Sequence, residues 1–275
     1  MQKLYARDYT FWYYTPSLAA AVIFLLAYIV LTGLHSMKMF KGKKWFCIPF
    51  TCGGIFEIIG YIGRVMAHND ITSMGPYILQ SIFILLAPSL FAASVYMVLG
   101  RLIRYVGGEH LSVIRVSRLT KTFVWCDVLS FLIQASSSSL SVMGYDTAAK
   151  IAVVTGLIIQ LLSFGAFWVS AVVFSRRIRR SPTPKSLLPS NTWKTSMNML
   201  YAVSTLIIIR SIFRIFEYVL GNNGYPLQHE WTSYIFDAVL MVAVMIIYLV
   251  WYPSHISVTG GPEDSLPLAH VYSNL

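Results

Sequence analysis

The chain has 275 residues, of which 56% are hydrophobic and only 12% are charged, and its mean hydropathy is +0.64. Soluble domains carry about 25% charged residues, so this composition excludes an ordinary soluble domain and predicts helices that cross a membrane. The net charge is +10, an excess that suits an anionic partner such as nucleic acid or a membrane surface.

The chain begins with an aromatic segment, residues 1–16, without the basic and then apolar pattern of a cleavable signal peptide. Phe11, Trp12, Tyr13 and Tyr14 within it are typical of the aromatic belt at a membrane interface. We therefore expect the first apolar segment to remain in place as an uncleaved anchor.

Seven apolar segments follow, separated by polar or Gly/Pro-containing stretches. They cover residues 17–35, 46–67, 77–100, 122–143, 151–175, 196–220 and 231–252. The third, fifth and seventh are long enough to cross about 30 Å of hydrocarbon, whereas the fourth and sixth contain charged residues. The prediction is an all-α, polytopic membrane protein with an extracellular segment (1–16), a seven-helix transmembrane domain (17–252) and a cytosolic tail (253–275).

The Lys and Arg residues indicate the orientation of the chain in the membrane. Fifteen of the 21 lie in three alternate loops: Lys38, Lys41, Lys43 and Lys44; Arg101, Arg104, Arg115, Arg118 and Lys121; Arg176, Arg177, Arg179, Arg180, Lys185 and Lys194. The positive-inside rule places these loops in the cytosol, the N-terminus outside and the C-terminus inside. The basic loops then face anionic lipids of the inner leaflet, so the net charge does not call for nucleic acid.

Span two contains the stretch EIIGYIGR at residues 57–64, in which charged residues interrupt a nearly unbroken apolar run. Glu57, Tyr61 and Arg64 follow one another at i, i+4 and i+7, so they share one face of the helix. Charges at this depth cost about 3 kcal/mol each and normally face the interior of a helix bundle, where they are paired or functional.

The other spans carry polar groups as well. Span six repeats the spacing in reversed order with Arg210, Arg214 and Glu217, and the remaining groups are Gln80, Asp127, Gln134, Gln160 and Asp237. We expect spans two and six to oppose each other, so that acid meets base at two depths. Together with Tyr61, these residues would line a polar path from the outside to beyond the midplane. The alternative is a salt-bridge network that only fixes helix packing.

The residues that several known activities require are missing from this sequence. There is no G-x-x-x-x-G-K-[ST] loop for nucleotide hydrolysis, and no span contains the Lys that a retinal Schiff base requires. The six His residues lie at span ends or in loops, and the three Cys residues lie within spans, which favours neither a metal centre nor a disulfide framework. We therefore predict no catalytic residues, no cofactor and no enzymatic activity.

Six stretches resemble the fungal RTA-like lipid-translocating exporter family, a seven-span group associated with resistance to aminocholesterol. They read FEIIGYIGR (56–64), YILQSIFILLAPSLFAASVYMVLGR (77–101), CDVLSFLIQ (126–134), GLIIQ (156–160), RSIFRIFEY (210–218) and HEWTSYIFD (229–237). The motif positions include all eleven site residues named above, together with Gly60, Pro88, Arg101, Glu230, Trp231 and Tyr234. After Gln134 the family commonly has a glycine-rich turn, where this chain has ASSSSL.

The resemblance implies export or flipping of an amphipathic lipid such as a sphingoid long-chain base, at the plasma membrane and without ATP hydrolysis by the chain itself. Relatives linked to toxic amphiphiles and to porphyrin handling leave the substrate open. In this hypothesis Glu57, Asp127, Glu217 and Asp237 hold the amine, while the arginines keep the acids ionised and the lipid tail stays in the membrane. The alternative is a receptor-like lipid sensor that recruits a cytosolic protein through the basic loops.

Overall fold

The computed structural model describes residues 17–69, 74–187, 192–220 and 229–252. Seven long helices account for most of them: α1 (Leu18–Gly42), α2 (Ile48–Asn69), α3 (Met74–Tyr105), α4 (Val116–Val142), α5 (Asp146–Arg180), α6 (Thr192–Leu220) and α7 (Glu230–Val250). Each helix overlaps one predicted segment almost completely, and most extend beyond it at one end or both because a helix does not stop where its apolar stretch stops. The all-α prediction is confirmed.

Six of these helices are long and apolar enough to cross a membrane, which confirms a polytopic membrane protein. The exception among the described helices is α4, which is 27 residues long but carries Asp127, Gln134 and a run of serines. Helix α4 continues through the serines of the ASSSSL stretch and ends at Val142. The count of seven spans and the orientation of the termini stay predictions, and residues 1–16 and 253–275 lie outside the described residues.

The outer surface of the bundle is apolar, as expected where lipid replaces water. Ile23 and Val30 of α1 are more than half exposed, whereas Phe91, Tyr96 and Leu99 of α3 are completely buried. The three basic regions lie at one end of the bundle, which we call the Lys43 end. Arg177 at the end of α5 donates to the carbonyl of Leu111 between α3 and α4, and Arg101 of α3 lies over the ring of Phe46 between α1 and α2. The opposite end, where α1 begins, is the Ser17 end.

Two glycines bring neighbouring helices unusually close. A Cβ atom on Gly63 of α2 would lie 3.0 Å from the backbone nitrogen of Gln80 in α3. On Gly156 of α5, a Cβ would lie 2.5 Å from Cγ of Gln134 and 2.7 Å from the carbonyl oxygen of Ser130, both in α4. Such contacts are typical of membrane helices, in which small residues let backbones approach. They place the polar side chains of α4 directly against α5.

Candidate functional site

The interior of the bundle near the Ser17 end contains seven charged side chains, which we call the charge cluster. Its members are Glu57 and Arg64 of α2, Arg210, Arg214 and Glu217 of α6, and Glu230 and Asp237 of α7. Five of them are at most 5% exposed, and the Glu230 side chain is 18% and the Arg214 side chain 16% exposed. Most of the cluster is therefore shielded from its surroundings in this conformation, which we call closed.

Asp237 is the central acceptor of the cluster. One of its carboxylate oxygens accepts a hydrogen bond from Nε of Arg210, and the other accepts one from Nη2 of Arg214. Arg214 also donates through Nη1 to Glu217, one turn further along the same helix, at 2.9 Å. Asp237 lies in a π-helical turn, Tyr234–Val239, within α7. Such turns often occur at functional sites, and this one displaces Asp237 from the position that a regular helix would give it.

Pro88 explains how α3 binds Arg210. Proline has no backbone N–H, so the carbonyl of the residue four positions earlier, Ile84, loses its helical hydrogen bond. Nη2 of Arg210 donates to this carbonyl oxygen at 2.8 Å. The guanidinium thus satisfies a backbone acceptor that would otherwise be unpaired in a water-free interior, where each such group costs several kcal/mol.

Arg64 and Glu230 tie three helices together at the Ser17 end. Nη2 of Arg64 lies 3.1 Å from Oε1 of Glu230, and its Nε donates to the hydroxyl of Tyr234 at 3.1 Å. The Glu230 carboxylate also accepts the backbone N–H of Ser17 at 2.8 and 3.0 Å, just before α1 begins. Because the first N–H groups of a helix are positively polarised, a carboxylate is a favourable partner there.

Glu57 differs from the other acids of the cluster. It is 1% exposed, yet no cation in the described chain lies within ion-pair distance of it, and its Oε1 has no hydrogen-bond partner there. The charges of Arg210, Arg214 and Asp237 act on it from further away. The rings of Tyr28 and Tyr61 pack against each other beside it, with centroids 5.1 Å apart, and the Tyr28 hydroxyl donates to the carbonyl of Ala238.

A second polar group lies on the other side of α3, among α3, α4 and α5. Nε2 of Gln134 donates to Oε1 of Gln160 at 3.3 Å, and Nε2 of Gln160 donates to Oγ of Ser89 at 2.9 Å. Nearer the Lys43 end, the hydroxyl of Tyr96 donates to Oδ2 of Asp127 at 2.8 Å. Oδ1 of Asp127 has no partner among the described residues, and Asp127 is 4% exposed.

The positions at which these groups contact α3 give their relative depths in the bundle. Arg210 binds at Ile84, the amides bind at Ser89, and Asp127 binds at Tyr96. At 1.5 Å per residue, the twelve residues from Ile84 to Tyr96 cover about 18 Å, more than half of the hydrocarbon thickness. The polar groups thus form a descending series along α3, with the charge cluster on one side of the helix and Asp127 on the other.

The predicted pairing of span two with span six is wrong in its partners. Among the described residues, the ion pairs of Arg64, Arg210 and Arg214 go to Glu230, Asp237 and Glu217, and none joins α2 to α6. The physical reason is that α7 supplies an acid to each of the two helices. The buried Oε1 of Gln80 has no hydrogen-bond partner within the described part of the chain, and the place of Gln80 on a polar path stays a prediction.

Several residues that organise the site were absent from the sequence-based set. Glu230 lies one residue before the predicted start of span seven, where a charged residue reads as part of a loop. Glu230 and Tyr234 are both motif positions of the resemblance, and this is the feature of the sequence that points to them. Tyr28, Ser89 and Tyr96 carry no such signal, because buried tyrosines and serines are common in membrane helices and their partners lie far away in the chain.

A surface groove of the described residues is separate from these groups. It has a volume of about 490 Å³, lies between α6 and α7, and is lined by residues that include Asn198, Tyr201, Thr205 and Ile247. No three His, Cys, Asp or Glu residues of the described ranges come together in the manner of a metal site. The buried acids, arginines and amides can form ion pairs and hydrogen bonds with a ligand.

Comparison with known proteins gives one family. A family model described as RTA1 like protein matches residues 50–259, which include every member of the charge cluster. The chain is 31% identical over 278 residues to Protoporphyrin uptake protein 1 of Saccharomyces cerevisiae, covering 88% of this chain and 91% of that protein. It is 32% identical over 266 residues to Protein RTA1 of the same yeast, covering 87% and 84%.

A third similarity links the chain to a protein with a lipid in its name. It is 25% identical over 299 residues to the Sphingoid long-chain base transporter RSB1 of Saccharomyces cerevisiae, covering 93% of this chain and 78% of that protein. No solved structure matches the chain.

Proposed function

The chain belongs to the RTA1-like family, and on that premise we propose that it translocates amphipathic lipids of the sphingoid long-chain base type across a membrane without hydrolysing ATP itself. The observation that carries this proposal is the descending series of buried polar groups from Arg64 to Asp127. A bundle that needs only registration would use fewer and less costly polar residues. The similarity to a protein named as a sphingoid base transporter gives the series a matching substrate class.

The chemistry of a sphingoid base suits this interior. Its head group carries a cationic amine and hydroxyl groups, which can bind carboxylates and amides, and its long tail can stay in lipid. We propose that Glu57, Asp127, Glu217 and Asp237 serve the amine in turn, with Gln134 and Gln160 between them in depth. Tyr61, Gln80 and the three arginines complete the proposed path by positioning the acids.

The proposed setting is the plasma membrane, with the Lys43 end in the cytosol. Fifteen Lys and Arg residues would then face the anionic lipids of the inner leaflet, each worth about 1 kcal/mol of attraction. In this proposal the lipid leaves the protein chemically unaltered, so the chain has no enzymatic role and no need for a cofactor.

The test is transbilayer movement of a fluorescent sphingoid base in vesicles that contain only the purified protein. We expect the wild type to accelerate this movement and the Glu57→Gln/Glu217→Gln double variant to lose most of the acceleration. Glu109→Gln serves as the matched control, because Glu109 is an exposed acid paired with Arg104 far from the cluster. Equal rates for the double variant and the wild type would overturn the proposal.

The same experiment addresses the alternative of a lipid sensor. A sensor would bind the labelled base with measurable affinity and yet move none of it in pure vesicles. The basic loops would then recruit a cytosolic protein, and the charge cluster would switch between two arrangements.

A further inference from the structure

The charge cluster contains one carboxylate more than it has cations. Arg64 is matched by Glu230, and Arg210 and Arg214 are matched by Asp237 and Glu217. These six side chains sum to zero charge. Glu57 is therefore the surplus acid of the cluster.

The surroundings of Glu57 offer it little compensation as an anion. From α6 and α7, the groups that act on it are Arg210, Arg214 and Asp237, and the Asp237 carboxylate already binds both guanidinium groups. From α1 comes Tyr28, whose hydroxyl proton is directed to the Ala238 carbonyl. Tyr61 lies on its own helix.

The remaining neighbour, α3, closes the space. Ile84 and Ala87 of α3 approach Gly60 and Gly53, which flank Glu57 one turn to each side. Glu57 is 1% exposed, it forms no ion pair with another described residue, and its Oε1 has no hydrogen-bond partner among them. An ionised carboxylate in such surroundings is strongly disfavoured. A neutral carboxylic acid avoids this cost.

We propose that Glu57 carries a proton in this closed conformation and exchanges it for the cationic head group of the substrate. This inference rests on the proposed function and adds a coupling ion to it. In the exchange, the O–H bond of the Glu57 carboxylic acid breaks, the proton leaves to water, and the resulting carboxylate forms an ion pair with the ammonium group of the lipid. Charge balances, because one cation replaces another. One carboxylate cannot hold both cations, so movement of the lipid in one direction is linked to movement of a proton in the other.

A direct readout of the bound proton comes from infrared spectroscopy. A protonated carboxylic acid has a carbonyl band that ionised carboxylates and amides lack. We expect this band in the difference between wild type and Glu57→Gln in detergent at neutral pH, and no such difference between wild type and Glu109→Gln. Because Gln has the shape and neutrality of a protonated Glu, Glu57→Gln should also melt no lower than the wild type. An absent band together with a lower melting temperature would show that Glu57 is ionised and would overturn the inference.

The coupling is tested with a sphingoid base whose amine is trimethylated, so that the probe itself cannot carry a proton. In vesicles loaded with a pH-sensitive dye, we expect about one proton to move outward for each probe cation that moves inward. An acidic vesicle interior should accelerate probe uptake by the wild type and by Glu109→Gln at least several-fold, and Glu57→Gln should lose this dependence.

The outcomes separate the coupling from the transport. Probe movement by the wild type without proton counterflow, and without an effect of the pH gradient, would overturn the coupling while leaving the proposed function standing. Movement of the unmethylated base without movement of the trimethylated probe would overturn the simple exchange of one cation for another at Glu57. Movement of neither by the wild type would overturn the proposed function and the coupling with it. Glu57→Asp provides a second variant, since it keeps a carboxylic acid and should keep a measurable proton counterflow if the coupling is correct.

Discussion

Asp237→Asn should be among the most damaging single substitutions in the cluster. The Asp237 carboxylate binds both Arg210 and Arg214, so its loss leaves two buried guanidinium groups with Glu217 as their only remaining ion-pair partner among the described residues. Removing one partner of a buried pair costs about 3–5 kcal/mol. For a chain of this size, each kcal/mol corresponds to roughly 2 °C in melting temperature, so we expect a decrease of about 6–10 °C.

The size of this decrease depends on whether Glu57 can replace the lost charge. If Glu57 carries a proton, it can release it in Asp237→Asn and become the missing anion. The double variant Asp237→Asn/Glu57→Gln removes that possibility, so its melting temperature should fall by more than the sum of the two single changes. Neighbouring residues in one network show such non-additivity by about 0.5–3 kcal/mol.

Thermal unfolding in detergent, followed by the fluorescence of a thiol-reactive dye, measures all of these variants. Glu109→Gln is the control, because its exposed pair with Arg104 at 3.6 Å should contribute at most about 1 kcal/mol. A decrease no larger than that of the control in Asp237→Asn/Glu57→Gln, in which Glu57 cannot compensate, would refute the assignment of Asp237 as the central acceptor. Strict additivity in the double variant would refute the compensation by Glu57.

Three further predictions use matched controls in the same unfolding assay. Gly156→Ala should destabilise the fold by about 1–3 kcal/mol through overpacking against Gln134 and Ser130. Gly165→Ala in the same helix, with open space around it, should change stability little. Equal effects of the two substitutions would contradict the close approach of α4 and α5. Tyr96→Phe should lower the free energy of unfolding by about 1–3 kcal/mol, because it leaves both oxygens of the Asp127 carboxylate without a donor among the described residues. Tyr105→Phe, at the partly exposed end of the same helix, is its control. An unchanged stability of Tyr96→Phe would argue against this hydrogen bond. Glu230→Gln should lower the melting temperature by several degrees because Arg64 loses its ion pair with Glu230. Glu109→Gln is again the control, and an unchanged melting temperature of Glu230→Gln would mean that Arg64 relies on other partners.

The sequence was sufficient for the class of fold because apolar length and polar punctuation determine where helices cross a membrane. Each predicted segment lies within a helix of the structure or overlaps it almost completely. The i, i+4, i+7 spacing was also sufficient to show that Glu57, Tyr61 and Arg64 share a face, and all three are buried. Periodicity reports which residues of one helix face inward.

Periodicity does not report which helices are neighbours, and this is why the pairing was wrong. The faces of α2 and α6 both point inward, but their arginines meet acids of α7 and of α6 itself. The π-helical turn in α7 adds a second difficulty, since it shifts Asp237 away from the register of a regular helix. Hydrogen bonds between distant residues, such as Gln160 with Ser89, depend on the assembled bundle in the same way.

Helix α3 joins the two polar groups, and Pro88 lies at the junction. Ile84 presents its carbonyl to Arg210 on one side, and Ser89 presents its hydroxyl to Gln160 on another side, five residues along the chain. Five residues correspond to one full turn and about 140° more around a helix, so a stretch of α3 of about one and a half turns contacts both groups. Because proline removes a backbone hydrogen bond there, α3 can bend in this stretch at less cost than elsewhere. On the path that we propose, a head group that moves from Glu57 to Asp127 passes this stretch, and a bend that withdraws the Ile84 carbonyl would release Arg210 at the same time. In this proposal, the proline links the geometry of the path to the arginine that helps to keep the charge cluster closed.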